Sequence, residues 1–119
     1  MATFSTHILN SVNGTHFSDI DVKLFRCTKT DKKELVFHEK TDIGGRLKVS
    51  FDLNPGIISE YEVQVFLPKD FYNNTKLETI KKNIKISYFS MRISFYENDI
   101  TYHIPLIISP YGMSCWISR

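Results

Sequence analysis

The chain has 119 residues, 42% of them hydrophobic and 13% aromatic. That length suits a single domain over 1–119, because two separate cores would each have too few residues, and the apolar content excludes a disordered chain. A formal net charge of +2, with Lys and Arg interleaved among Asp and Glu, gives no electrostatic case for nucleic acid or an anionic membrane as partner.

The N-terminus, Met1 to His7, has neither the basic start nor the apolar centre of a signal peptide. No run approaches the ~20 apolar residues that span a bilayer. A cytoplasmic protein is the expectation. The first strand is predicted over Phe4–Asn10, with Phe4 and Ile8 facing inward and His7 outward. Asn13-Gly14 suits a tight reversal. Strands follow at Asp21–Cys27 and Glu34–Lys40, and Thr41-Asp42-Ile43-Gly44-Gly45 reads as a hairpin loop. Beyond it Leu47, Val49, Phe51 and Leu53 alternate with Lys48, Ser50 and Asp52, the period of two of a half-buried strand. Arg46 stands one residue before that apolar set, so it points outward.

After a turn at Asn54-Pro55-Gly56, Tyr61, Val63 and Val65 alternate with Glu60, Glu62 and Gln64. Lys69–Lys82 lacks alternation and reads as a short helix plus loop. Met91, Ile93 and Phe95 then alternate with Arg92, Ser94 and Tyr96. A last long strand is predicted over Thr101–Ser109. Tyr102, Ile104, Leu106 and Ile108 form its inner face, and His103, Pro105 and Ile107 its outer one. An apolar outer face suggests a subunit contact. About eight short strands with turn signals between them predict an all-β, two-sheet sandwich.

Parity leaves His7, Arg46 and His103 free to share the outer surface of one sheet. Two imidazoles that titrate near neutrality and one permanent cation are sufficient for acid–base hydrolysis. His16 and His38 have no comparable setting and read as surface residues. Two histidines without a carboxylate or thiolate pair do not make a zinc site, so no metal is expected. Cys27 and Cys115 lie outside any metal or redox spacing and read as free thiols. No G-x-S-x-G, P-loop or Cys–His arrangement occurs.

Three separated blocks carry a resemblance. Ser5-Thr6-His7-Ile8-Leu9-Asn10, Thr41-Asp42-Ile43-Gly44-Gly45-Arg46-Leu47 and Tyr102-His103-Ile104-Pro105-Leu106-Ile107-Ile108-Ser109-Pro110-Tyr111-Gly112 resemble the signature blocks of the 5-hydroxyisourate hydrolases, the transthyretin-related enzymes of urate breakdown. The resemblance implies a transthyretin-like sandwich with one short helix. It also implies a homotetramer with active sites at the interface between dimers, 5-hydroxyisourate as substrate, and no cofactor. His7, Arg46 and His103 are then the catalytic positions, with His7, Arg46, Trp116 and Ser118 in contact with substrate.

The chain departs from the family at its tail. Where members end in Tyr-Arg-Gly-Ser, it reads Trp116-Ile117-Ser118-Arg119. The aromatic is kept in kind, but Ile117 replaces the arginine. The altered tail leaves an alternative open, a transthyretin-like binder of small molecules with weakened or lost activity. An unrelated interaction sandwich would leave the three blocks unexplained.

Overall fold

The computed structural model describes residues 1–28, 30, 32–53, 59–72 and 84–118. Among them are ten strands and no helix. In chain order these are β1 (Ala2–Asn10), β2 (Thr15–His16), β3 (Asp21–Cys27), β4 (Lys33–Lys40), β5 (Arg46–Phe51), β6 (Ser59–Phe66), β7 (Tyr88–Phe95), β8 (Thr101–His103), β9 (Leu106–Ser109) and β10 (Gly112–Cys115). One sheet runs β4-β3-β6-β7, antiparallel throughout. The other has six strands arranged around β1.

The apolar alternation lands as expected. Val22, Leu24, Tyr61, Val63 and Val65 of one sheet and Phe4, Ile8, Leu106 and Ile108 of the other are fully buried. Phe51, Tyr61 and Phe95 stack at ring separations of 5.2 to 5.8 Å, and Tyr102 lies 4.5 Å from Phe95. Such contacts bury large apolar surface and provide most of the driving force for closing the sandwich. Glu62, on the polar side of β6, is nonetheless only 6% exposed. Lys33 Nζ at 2.8 Å and Gln64 Nε2 at 2.6 Å cover it. Burial opposes its ionisation, but those two donors and Ser90 outweigh burial and hold its carboxyl below the ordinary range.

The single strand expected over Thr101–Ser109 is two strands, β8 and β9, separated at Ile104-Pro105. Pro105 has no N–H for a ladder. The buried Thr6 hydroxyl donates instead to the Ile104 carbonyl at 2.6 Å. Inside–outside parity survives the break, because Ile104, Leu106 and Ile108 are all buried while His103 and Ile107 are half-buried. The two-residue β2 and the tail strand β10 were not expected. Of the helix expected over Lys69–Lys82, residues 69–72 form turns and the rest lies outside the described residues, as does the turn at Asn54-Pro55-Gly56.

β1 changes partner on both of its edges. On one side Ala2–His7 pair with β5 and Leu9–Asn10 with β2. On the other, Thr3–Ser5 run parallel to β8 and Ile8–Asn10 parallel to β9. His7 stands at the switch, where neighbouring ladders part.

Candidate active site

The site is built on β1 and the ends of the strands beside it. His7 is the direct cross-strand partner of Arg46, and side chains opposite each other in an antiparallel pair emerge on one face. The loop before Arg46 is fixed by Asp42, whose Oδ1 accepts from the Gly44 and Arg46 N–H groups, each at 2.9 Å. Arg46 is exposed, and among the described residues it has no ion-pair partner. Its cation is available to an incoming ligand.

Gly45 allows this loop to lie against β1. It has φ +73°, and a Cβ there would come within 2.6 Å of the Ile8 carbonyl oxygen and 3.0 Å of the Phe17 nitrogen. Only glycine combines that backbone conformation with so close an approach. The Gly45 carbonyl accepts from Ile8 N–H at 2.8 Å, and the Ile8 carbonyl accepts from Phe17 N–H at 2.9 Å. One close contact thus joins β5, β1 and β2 at the level of His7.

His103 enters from the other edge. It pairs with Ser5, two residues before His7 on the same face of β1. Ser5 Oγ and His103 Nδ1 are 2.9 Å apart. A hydroxyl can donate or accept, so it supports either tautomer of the ring and leaves Nε2 for chemistry. The tail crosses here too. Ser118 forms a bridge with His103, its N–H donating to the His103 carbonyl at 2.8 Å, and Trp116 N–H reaches the Pro105 carbonyl at 3.4 Å. The Trp116 side chain is 48% exposed. Ile117, 58% exposed, lines a recess of about 660 Å³ with Ile93, Tyr96, Glu97, Ile100 and Tyr102.

The three residues singled out from parity therefore come together. Partial burial is the largest cause holding the His7 imidazole below its ordinary pKa, followed by the Arg46 guanidinium, and charge on His16 and on His103 acts in the same direction. Two site residues were missed. Ser5 is one. His16 is the other, exposed as expected but with Nδ1 2.9 Å from His7 Nε2 and ring centres 5.0 Å apart. The available signal was the Asn13-Gly14 reversal, which folds the chain back so that His16 lands opposite Leu9. His38 sits on the other sheet, paired with Asp21 at 2.8 Å. Cys27 and Cys115 are free. No group of three or more metal-binding side chains occurs among the described residues.

Residues 4–117 match the model of the HIUase/Transthyretin family. The chain belongs to that family. It is 28% identical over 120 residues to the 5-hydroxyisourate hydrolase of Pseudomonas aeruginosa, an alignment spanning 98% of this chain and 90% of the relative. Among solved structures, Klebsiella pneumoniae 5-hydroxyisourate hydrolase matches with a TM-score of 0.71 and 22% identity over the whole of both chains. Sea bream transthyretin in complex with thyroxine matches with a TM-score of 0.74 and 16% identity, covering 97% of this chain and 93% of that one. An (S)-allantoin synthase gives a TM-score of 0.76 and 22% identity over 99% of this chain, which spans only 44% of the synthase. At these identities the structural matches establish the transthyretin-like sandwich and nothing finer.

Proposed function

We propose that this chain is a hydrolase of urate degradation that opens the ring of 5-hydroxyisourate. The observation that carries the reading is the convergence of His7, Arg46 and His103, each from a separate signature block, on one face around β1. Water is a poor nucleophile and the ring nitrogen a poor leaving group, so the reaction needs a base and an acid. His7 and His103 take a proton from the water that attacks a ring carbonyl and return one to the nitrogen as the C–N bond breaks. Neutral imidazole suits this because its ordinary pKa is near working pH. Arg46 forks its N–H groups toward the oxygens of the substrate, stabilises the developing oxyanion and keeps His7 unprotonated. Trp116 and Ser118 complete the substrate contact from the tail.

The reaction as written needs no metal or organic cofactor. The family resemblance supports a single transthyretin-like domain over 1–119 that assembles as a homotetramer, with each site in a cleft between dimers. The half-buried apolar groups beside His103, Pro105 and Ile107, favour such a cleft. The test is decay of freshly generated 5-hydroxyisourate with the wild-type chain and with His103→Asn. Fast decay with wild type alone is expected, since a positioned acid–base group contributes ~10²–10⁴-fold. Decay at the spontaneous rate with wild type would overturn the reading in favour of a small-molecule binder with a disabled tail.

A further inference from the structure

The hydrogen bond between His7 and His16 has a direction, and the direction changes which nitrogen meets water. His7 Nε2 is 2.9 Å from His16 Nδ1. The Gly44 backbone favours the protonated form of His7, the effect of a carbonyl facing a ring N–H donor. With Nε2 engaged by His16, that donor is Nδ1–H. A neutral His7 carrying its proton on Nδ1 has a bare Nε2, and the hydrogen bond to His16 must be donated by His16 Nδ1–H. The lone pair left over is on His16 Nε2, on an exposed ring.

We propose that His16 is a further catalytic residue of this site, the outer half of a two-imidazole relay whose inner half is His7. A proton leaving the attacking water bonds to His16 Nε2. The Nδ1 proton of His16 passes to His7 Nε2, and the charge comes to rest on His7, which now donates from both nitrogens, to His16 Nδ1 and to the Gly44 carbonyl. One O–H bond breaks, one N–H bond forms at each ring, and one N–H bond breaks at His16, so the relay carries a single proton. Reversal of the same transfers delivers it to the leaving nitrogen or to solvent. Arg46, His103 and His16 itself are the titratable groups that face His7, and a charge on each disfavours a proton added to His7.

The placement of His16 is built rather than incidental. β2 is held to β1 by Phe17 N–H donating to the Ile8 carbonyl. The reversal before it is closed by Gly14 N–H to the Asn10 carbonyl at 2.8 Å, and by Thr15 N–H and Oγ1 donating to Asn13 Oδ1. His16 Cβ is 3.3 Å from where a Gly45 Cβ would stand, so the glycine contact that orders His7 also orders its partner.

The inference rests on the hydrolase reading, and its test separates the two. The ring nitrogens of the full-length protein are read by ¹⁵N NMR across a pH titration, together with 5-hydroxyisourate decay for wild type, His16→Gln and His16→Gly. The expected result is a His7 Nδ1–H tautomer, His7 signals that shift on His16→Gln, kcat reduced ~10-fold or more with KM little changed, and partial rescue of His16→Gly by added imidazole. A His7 Nε2–H tautomer, or wild-type kcat and pH profile in His16→Gln, overturns the relay while leaving the hydrolase intact. An inactive wild type overturns the hydrolase, and the NMR titration then decides by itself whether the two rings share a proton.

Discussion

His7 illustrates how neighbours select a protonation state. An imidazole that is partly buried beside a guanidinium and two other rings is held below its ordinary pKa of ~6.5, because each of these disfavours the cation. The base must be neutral, so kcat/KM should fall only as pH drops through that lowered value, not through the ordinary one. Arg46→Gln removes the second-largest cause and should move the acid limb toward higher pH while also lowering the rate. The same titration followed by NMR of the His7 ring gives the shift without relying on turnover. A limb that stays in place, or moves down, would show that Arg46 does not tune His7. Stability follows the same sign. The unfolded chain binds a proton at the ordinary pKa and the folded one lower, so below about pH 6.5 acid erodes this contribution to the fold.

At the scale of elements, the site depends on the Gly44-Gly45 loop docking under Ile8. Gly45→Ala puts a Cβ within 2.6 Å of a backbone oxygen, at a φ that L residues rarely adopt. The expected cost is ~1–3 kcal/mol, seen as a lower urea midpoint with an unchanged slope. Because the contact holds β5, β1 and β2 at the level of His7, hydrolysis should fall further than stability would predict. Full activity with reduced stability would mean that the catalytic face is positioned some other way. The alternation around Tyr61, Val63 and Val65 was legible because a period of two depends only on local geometry. So was the outward direction of His7, Arg46 and His103. The break at Pro105 was hidden because Thr6, nearly a hundred residues away, satisfies the Ile104 carbonyl. Ser5 and His16 were hidden for the same kind of reason. Their roles arise from the parallel pairing of β8 and the return of β2 onto β1, and registers between distant strands leave no periodic trace.

For the whole molecule, the face that carries chemistry also carries apolar groups that one chain leaves uncovered. Leu9 and Ile107 lie opposite each other on the outer side of β1 and β9, both only half-buried. Pro105 is half-buried as well, and Trp116 is 48% exposed nearby on the tail. Grouped apolar surface of this kind is normally covered in an assembly. If a dimer–dimer interface supplies the cover, light scattering should give the mass of four chains. Ile107→Asp, which puts a carboxylate into that interface, should reduce the mass to that of two. Desolvating an unpaired charge costs several kcal/mol, enough to dissolve a contact between dimers without touching the buried core formed by Ile104, Leu106 and Ile108. Hydrolysis should fall with the tetramer, because a cleft between dimers excludes water and sharpens the field of Arg46 only while both walls are present. An Ile107→Asp protein that remains tetrameric would mean that these apolar groups face solvent or another partner. One that becomes dimeric yet keeps its full rate would mean that the His7, Arg46 and His103 of a single chain form a sufficient site.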